Sequence, residues 1–284
     1  MIAVNNPTLV IEAILIFSAI LIISLAKNQF EDTFAHPAEY FAIIQFAIVG
    51  AITMVSFQNY IMLFVGLEIL SIGLYVLTGS DKRNLRGNEA ALKYFLMGAF
   101  ATGILLFGIA MNYGATTSFS LGTNIVNENV AIFYKIGMVM IMIGLFFKVS
   151  AAPFHFWTAD VYQGAPTIFT AFMATIVKTA GFYAFYKIMS ITYANDFPIY
   201  SIIVYAIIVL SIVIGNVTAV YQNNFKRMLA FSSISQAGFM LMSILGMGTN
   251  SGSSIGFYAA SYALATVSSF GVLIVVSNNQ LKDG

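Results

Sequence analysis

Cysteine is absent from the 284 residues, which excludes disulfides, thiolate zinc sites, cysteine-held iron–sulfur clusters and thiol redox chemistry. Histidine is nearly absent, and His36 and His155 are too few and too scattered for a multi-histidine metal site. Charge is scarce too, at 8% of residues, against roughly 25% in an ordinary soluble domain. A globular core of this size would lack the polar surface to stay dissolved. The formal net charge of +1 gives no attraction for nucleic acid. In place of these stand 60% hydrophobic residues and a mean hydropathy of +0.89, the composition of an integral membrane protein. The first apolar run has no basic segment before it, so no cleavable signal peptide is expected.

A membrane span needs about 20 apolar residues. Nine stretches qualify, at roughly 8–26, 39–57, 59–78, 90–112, 131–157, 167–189, 198–220, 228–248 and 254–277. The expected fold is therefore an all-α polytopic membrane protein with about nine transmembrane helices. Short connections with turn formers, as in GSDKRNLRGN and GMGTNSGSS, leave no room for a soluble domain. With nine spans, Lys27, Lys82, Arg83, Arg86, Lys226, Arg227 and Lys282 fall on one side, and Lys135 and Lys187 flank spans on the other. The positive-inside rule then places the amino terminus outside and the carboxyl terminus in the cytoplasm.

Three charges interrupt the apolar runs: Glu68 in IMLFVGLEILSIGLYVL, Lys148 after IGMVMIMIGLFF, and Lys178 in TIFTAFMATIVKTAGFYAF. A charge at mid-membrane costs about 2.5–3.5 kcal/mol on insertion scales, so it persists with a partner, a wet cavity or a task. Glu68 beside a lysine would make a pair whose hold on a proton depends on its separation, as a relay requires; the alternative is a static ion pair locking two helices, a poor stabiliser beside apolar packing. Two lysines in one low-dielectric interior cannot both stay charged without compensation, so either can load and release a proton. Snorkelling suits Lys135 and Lys187 at span ends, but not Lys178, which has long apolar sequence on both sides.

The fifth span continues apolar past Lys148 yet contains Pro153, with Ser150 just before it. Proline removes a backbone donor and clashes one turn back, so the helix is expected to kink or break between Ser150 and Pro153. A broken helix beside a buried lysine recurs at transporter ion sites. The sequence also carries a faint repeat: Tyr94, Ala99, Ala101 and Thr102 recur as Tyr258, Ala263, Ala265 and Thr266, in spans that run in opposite directions. Units of five spans would produce that inversion.

Other polar residues admit two readings each. Lys93 stands i, i+4 from Glu89, which fits both a salt bridge at the membrane edge and the mouth of a polar path. Lys226, next to Arg227, fits membrane anchoring or proton transfer. His155 fits a proton shuttle or a hydrogen bond across the helix break. Glu12 is expected to reach water outside. Ser232, Ser233, Ser235 and Gln236 form a polar stripe suited either to ordered water or to helix packing.

The run FKVSAAPFHFWTADVYQGAPT, from Phe147 to Thr167, resembles the signature of the N subunits of respiratory complex I, the proton-translocating NADH:quinone oxidoreductase. GLEILSIGLYVL, NEAALKYFLMGAF and NFKRMLAFSSISQAGFMLM resemble the same subunits in the same order, and the likeness covers nearly the whole chain. That family is related to the L and M subunits and to the large subunits of Mrp-type sodium/proton antiporters. The resemblance implies a glutamate–lysine switch at Glu68 and Lys148, a central proton carrier at Lys178 and a further lysine at Lys93. It implies two inverted five-helix units: residues 1–38 as a leading helix and connection, 39–190 as the first unit, and 191–284 as part of a second, truncated one. NADH, FMN, iron–sulfur clusters and quinone are then expected in partner subunits and no cofactor in this chain, with other membrane-arm subunits and the lipid bilayer of a bacterial inner membrane as partners. Gln236 stands where relatives often have histidine. The shortened second unit reads as a fragment of a longer subunit, or as a shortened protein. Rival readings are a subunit of an Mrp-type antiporter or membrane-bound hydrogenase, and a membrane scaffold that moves no protons.

Overall fold

In hydrocarbon every backbone polar group must be satisfied within its own segment, and the chain answers with helices. The computed structural model describes residues 2, 5–25, 37–123, 130–246 and 251–282, with backbone alone at 191–198 and 278–282. Lys27, His36 and the side chain of Lys282 lie outside that description. The helices are α1 (Asn6–Leu25), α2 (Pro37–Ser56), α3 (Tyr60–Thr78), α4 (Leu85–Thr116), α5 (Ala131–Lys148), α6 (Phe156–Gly164), α7 (Thr167–Phe172), a π-helical turn (Met173–Val177), α8 (Lys178–Val220), α9 (Phe225–Leu245) and α10 (Ser251–Lys282). Among the described residues nine helical stretches are long and apolar enough to cross a membrane, as expected. The chain is a multi-pass membrane protein.

Asparagines start three of these helices. Asn59 accepts from the Met62 amide at 2.8 Å, Asn84 from Arg86 and Gly87 at 3.1 and 3.3 Å, and Asn224 from Arg227 at 3.2 Å, each satisfying donors that a helix start leaves free. α2 packs along α3, α4 along α5 and α8 along α9. At the α2–α3 crossing a Cβ on Gly66 would lie 2.7 Å from the Met54 amide nitrogen, and one on Gly50 would lie 2.5 Å from that of Leu70, so the two backbones touch.

Two boundaries differ from the sequence reading. The stretch 131–157 divides at the expected break, with its ends set wider: α5 stops at Lys148 and α6 begins at Phe156. Between the sixth and seventh spans, where a connection was expected, the backbone stays helical through α8. The sixth span, Thr167–Ser190, forms the axis of the bundle: 100% of its most apolar stretch is buried, against 28–50% in the other eight. Lys178 therefore cannot face lipid. Apolar residues such as Phe100, Ile202 and Val272 stay exposed and form the outer face, which lipid covers in a bilayer.

Candidate functional site

Lys148 is the last residue of α5 and 3% exposed. Its ammonium donates to Ser71 Oγ on α3 at 2.7 Å, and Ser71 in turn donates to the Leu67 carbonyl at 2.5 Å. Nζ lies 6.0 Å from the centre of the Tyr94 ring, which stacks on Trp157 (4.6 Å between centroids, 13° between planes) and takes Tyr75 edge-on at 4.8 Å. The lysine thus sits against an aromatic wall whose electron-rich faces tolerate a cation. Glu68 is half-buried on α3, one turn before Ser71, and acts electrostatically on Lys148. Among the described residues no ion pair joins the two. They are neighbours held apart.

The break follows at once. Ser150 adopts a left-handed conformation (φ 61°), rare for a residue with a Cβ, and its hydroxyl is buried with no protein partner. The donors freed here find other acceptors: the Ala151 amide reaches the Phe146 carbonyl at 2.9 Å, and the Ala152 amide is taken by Ser211 Oγ of α8 at 2.9 Å. Trp157 Nε1 donates to the Phe147 carbonyl at 3.1 Å, tying α6 back to α5. His155 is nearly buried, stacks on Phe156 and leaves Nδ1 without a protein partner.

Lys178 opens α8 directly after the π-helical turn, a local distortion that often marks functional positions. It is 1% exposed, and its ammonium donates to the Ser233 carbonyl of α9. Beside it lies a cavity of about 350 Å³ lined by Ala174, Ser232, Ser233, Gln236, Tyr258 and Tyr262. Ser232, Ser233 and Gln236 of the polar stripe face this cavity, and Gln236 accepts a hydrogen bond from the Tyr258 hydroxyl. The Tyr262 hydroxyl is buried there without a protein partner, the setting in which buried water is usually held. The helix that carries Lys178 touches the break itself: a Cβ on Gly181 would lie 2.8 Å from Cγ1 of Val149, the residue after Lys148.

A third group of charges gathers at the end nearest the Lys82–Arg86 loop. Asp160 of α6 accepts from Lys93 of α4 at 2.9 Å and from Arg227 of α9 at 2.5 Å. Lys93 also pairs with Glu89 at 2.7 Å, and Arg227 donates to Gln163 at 3.0 Å. Lys226 donates to the Ala165 carbonyl at 2.6 Å. Burial works to raise the Asp160 carboxyl, but its bonds to Lys93 and Arg227 outweigh that and hold it below the usual carboxylate value.

The family model of the NADH:quinone oxidoreductase/Mrp antiporter transmembrane region matches residues 58–283. The chain belongs to that family. It is similar to NADH-quinone oxidoreductase subunit N of Flavobacterium johnsoniae, at 41% identity over 99% of this chain and 62% of that protein. It is similar to a chain of respiratory complex I from Thermus thermophilus, solved with bound aureothin, at 36% identity and a TM-score of 0.81 over 95% of this chain and 58% of that one. A chain of the Mrp complex from a Dietzia species shares the fold, with a TM-score of 0.82 at 19% identity over 94% of this chain and 50% of that one. The chain thus spans about three-fifths of the length of the curated relatives it matches.

In this antiporter-family chain the expected residues fall into three groups. Glu68 and Lys148 are electrostatic neighbours, with Ser71 and the aromatic wall beside the lysine, while Lys178 stands on the far side of the break beside its own cavity. Lys93 and Lys226 belong to the cluster around Asp160, where the Glu89–Lys93 salt bridge is present and is extended to α9. His155 belongs to none of the three. The sequence reading assigned Asp160 and Ser71 no role, and marked Tyr94 only as part of the repeat. The only local signal for Asp160 was a lone acid just beyond the proline break, since its partners are distant in sequence.

Proposed function

We propose that the chain is the proton-relaying part of a complex I subunit of the N type, in which Glu68 and Lys148 form a coupled switch and Lys178 is the central carrier. The observation that carries this reading is that both buried lysines sit where a helix is interrupted, Lys148 at the break and Lys178 after the π-helical turn, each with a single neutral oxygen as hydrogen-bond partner. A static ion pair would have brought Glu68 into contact with Lys148. A gap that can close suits a switch, because the Coulomb energy of the pair varies steeply with separation in a low-dielectric interior. Drawing Glu68 closer strengthens the hold of Lys148 on its proton; letting it recede drives the proton on, past the break toward Lys178.

In this reading the basic face is cytoplasmic, the membrane is a bacterial inner membrane, and the neighbours are other membrane-arm subunits. NADH, flavin, iron–sulfur clusters and quinone belong to partner subunits, with electron transfer in the peripheral arm. Residues 39–190 act as a first five-helix unit and 191–284 as part of its inverted counterpart, with Lys93, Lys226 and Asp160 at the cytoplasmic mouth. The higher identity to complex I chains than to the Mrp chain favours this over an antiporter subunit. The test is the proton-to-electron ratio of reconstituted complex. Lys178→Ala and Glu68→Ala are each expected to lower it; if both leave the ratio and the quinone reductase rate intact, the chain is a scaffold.

A further inference from the structure

Two charges expected to reach water at span ends, Glu12 and Lys187, are both half-buried and join one polar cluster on the face opposite the Lys82–Arg86 loop. Ser56 at the end of α2 donates to Glu12 Oε1 of α1 at 2.6 Å. Lys187 of α8 donates to the carbonyl of Phe57, the next residue, and lies 4.7 Å from the Phe57 ring centre. Tyr183, one turn before Lys187, meets Thr8 through its hydroxyl at 3.2 Å, and Thr8 lies one turn before Glu12. The contacts therefore close into a ring that holds one carboxylate and one ammonium. A cavity of about 600 Å³ adjoins it, lined by Asn6, Thr8, Tyr183, Tyr186, Lys187 and Ser190 among others.

Glu12 lies six residues into α1, about 9 Å along the helix from its start, where a charge without a task is expensive. Thr179, Tyr183 and Lys187 recur every four residues along one face of α8, and Thr179 adjoins Lys178 in sequence, on a face turned about 100° from the one whose ammonium reaches Ser233. The Thr179 hydroxyl is buried with no protein partner. Side chains one turn apart are about 5–6 Å from each other, a gap that one bridging water spans.

We propose that Glu12 is the proton-exchange carboxylate of this face, joined to Lys178 through Thr179, Tyr183 and Thr8. This rests on the relay reading above. A proton leaving the Lys178 ammonium along this line forms the O–H of a neutral Glu12. Release to water on this face restores the carboxylate, which keeps its bond from Ser56, and Lys187 leaves the ring electrically neutral in that state.

The test uses vesicles from cells that carry the protein in its native assembly, with its amount in the membrane checked for each variant. Glu12→Gln is expected to lower the proton-to-electron ratio to the level of Lys178→Ala, Glu12→Asp to restore most of it, and the double variant to lose no more than either single one. If Lys178→Ala lowers the ratio and Glu12→Gln does not, this exchange site is overturned and the relay stands. If Lys178→Ala has no effect, the relay reading itself fails. Should Glu12→Gln not accumulate, wild-type membranes are treated with dicyclohexylcarbodiimide, which couples to protonated carboxyl groups in apolar surroundings. A mass-spectrometric adduct on Glu12 is the expected result, and its absence overturns the proposal.

Discussion

Replacing Asp160 with asparagine removes the one carboxylate shared by Lys93 of α4 and Arg227 of α9, and so the link that holds α4, α6 and α9 together at the basic face. The side chains involved are 29–42% exposed, which places these pairs near the surface class rather than the buried one. Such pairs contribute about 0.2–1 kcal/mol each, so two with a common acceptor give about 0.5–2 kcal/mol in all. At about 2–4 °C per kcal/mol for a protein of this size, that is a fall in thermal midpoint of about 1–8 °C. The sign with pH follows from the carboxyl being held below its usual value by folding. Its contribution is complete above that usual value, near pH 4, and is lost as pH falls through the lower folded value. Intrinsic fluorescence unfolding of the detergent-solubilised protein should therefore show the variant less stable at pH 7, with the gap to wild type closing below about pH 4. An unchanged midpoint at pH 7, or a gap that widens on acidification, would refute the reasoning.

Gly66→Val places new atoms against the Met54 backbone, which cannot rotate away, and should cost about 1–3 kcal/mol or more, read as loss of folded protein in size-exclusion profiles. Ser211→Ala strands the buried Ala152 amide at the helix break; a loss of about 1–3 kcal/mol is expected in the same unfolding assay, and a neutral result would mean that the break finds another acceptor.

Most of the fold was legible because lipid leaves so few choices: an apolar run of sufficient length has to be a helix, and nine runs gave nine spans. The break after Lys148 was legible from Pro153, since a missing donor has the same consequence in any context. The π-helical turn before Lys178 was not, because Met173–Val177 is ordinary apolar sequence and the distortion comes from how it packs. The contacts of Glu12 and Lys187 stayed hidden for a related reason. Their positions near span ends suggested water, and what joins them is the Ser56–Phe57 segment at the end of another helix, which periodicity does not reveal. Asp160 stayed hidden because its value lies in partners 67 residues away on either side. Charges in lipid announce themselves singly, but their pairing is a property of the fold.

The central claim is that Lys148 and Lys178 pass one proton in series. Its most direct test is a double-mutant cycle on the proton-to-electron ratio in inside-out vesicles, with Lys148→Ala, Lys178→Ala and the two combined. Groups that act as one unit are strongly non-additive. The account predicts that each single variant lowers the ratio by the same amount and that the double variant lowers it no further. Additive losses, or a ratio that neither single variant changes, would contradict it.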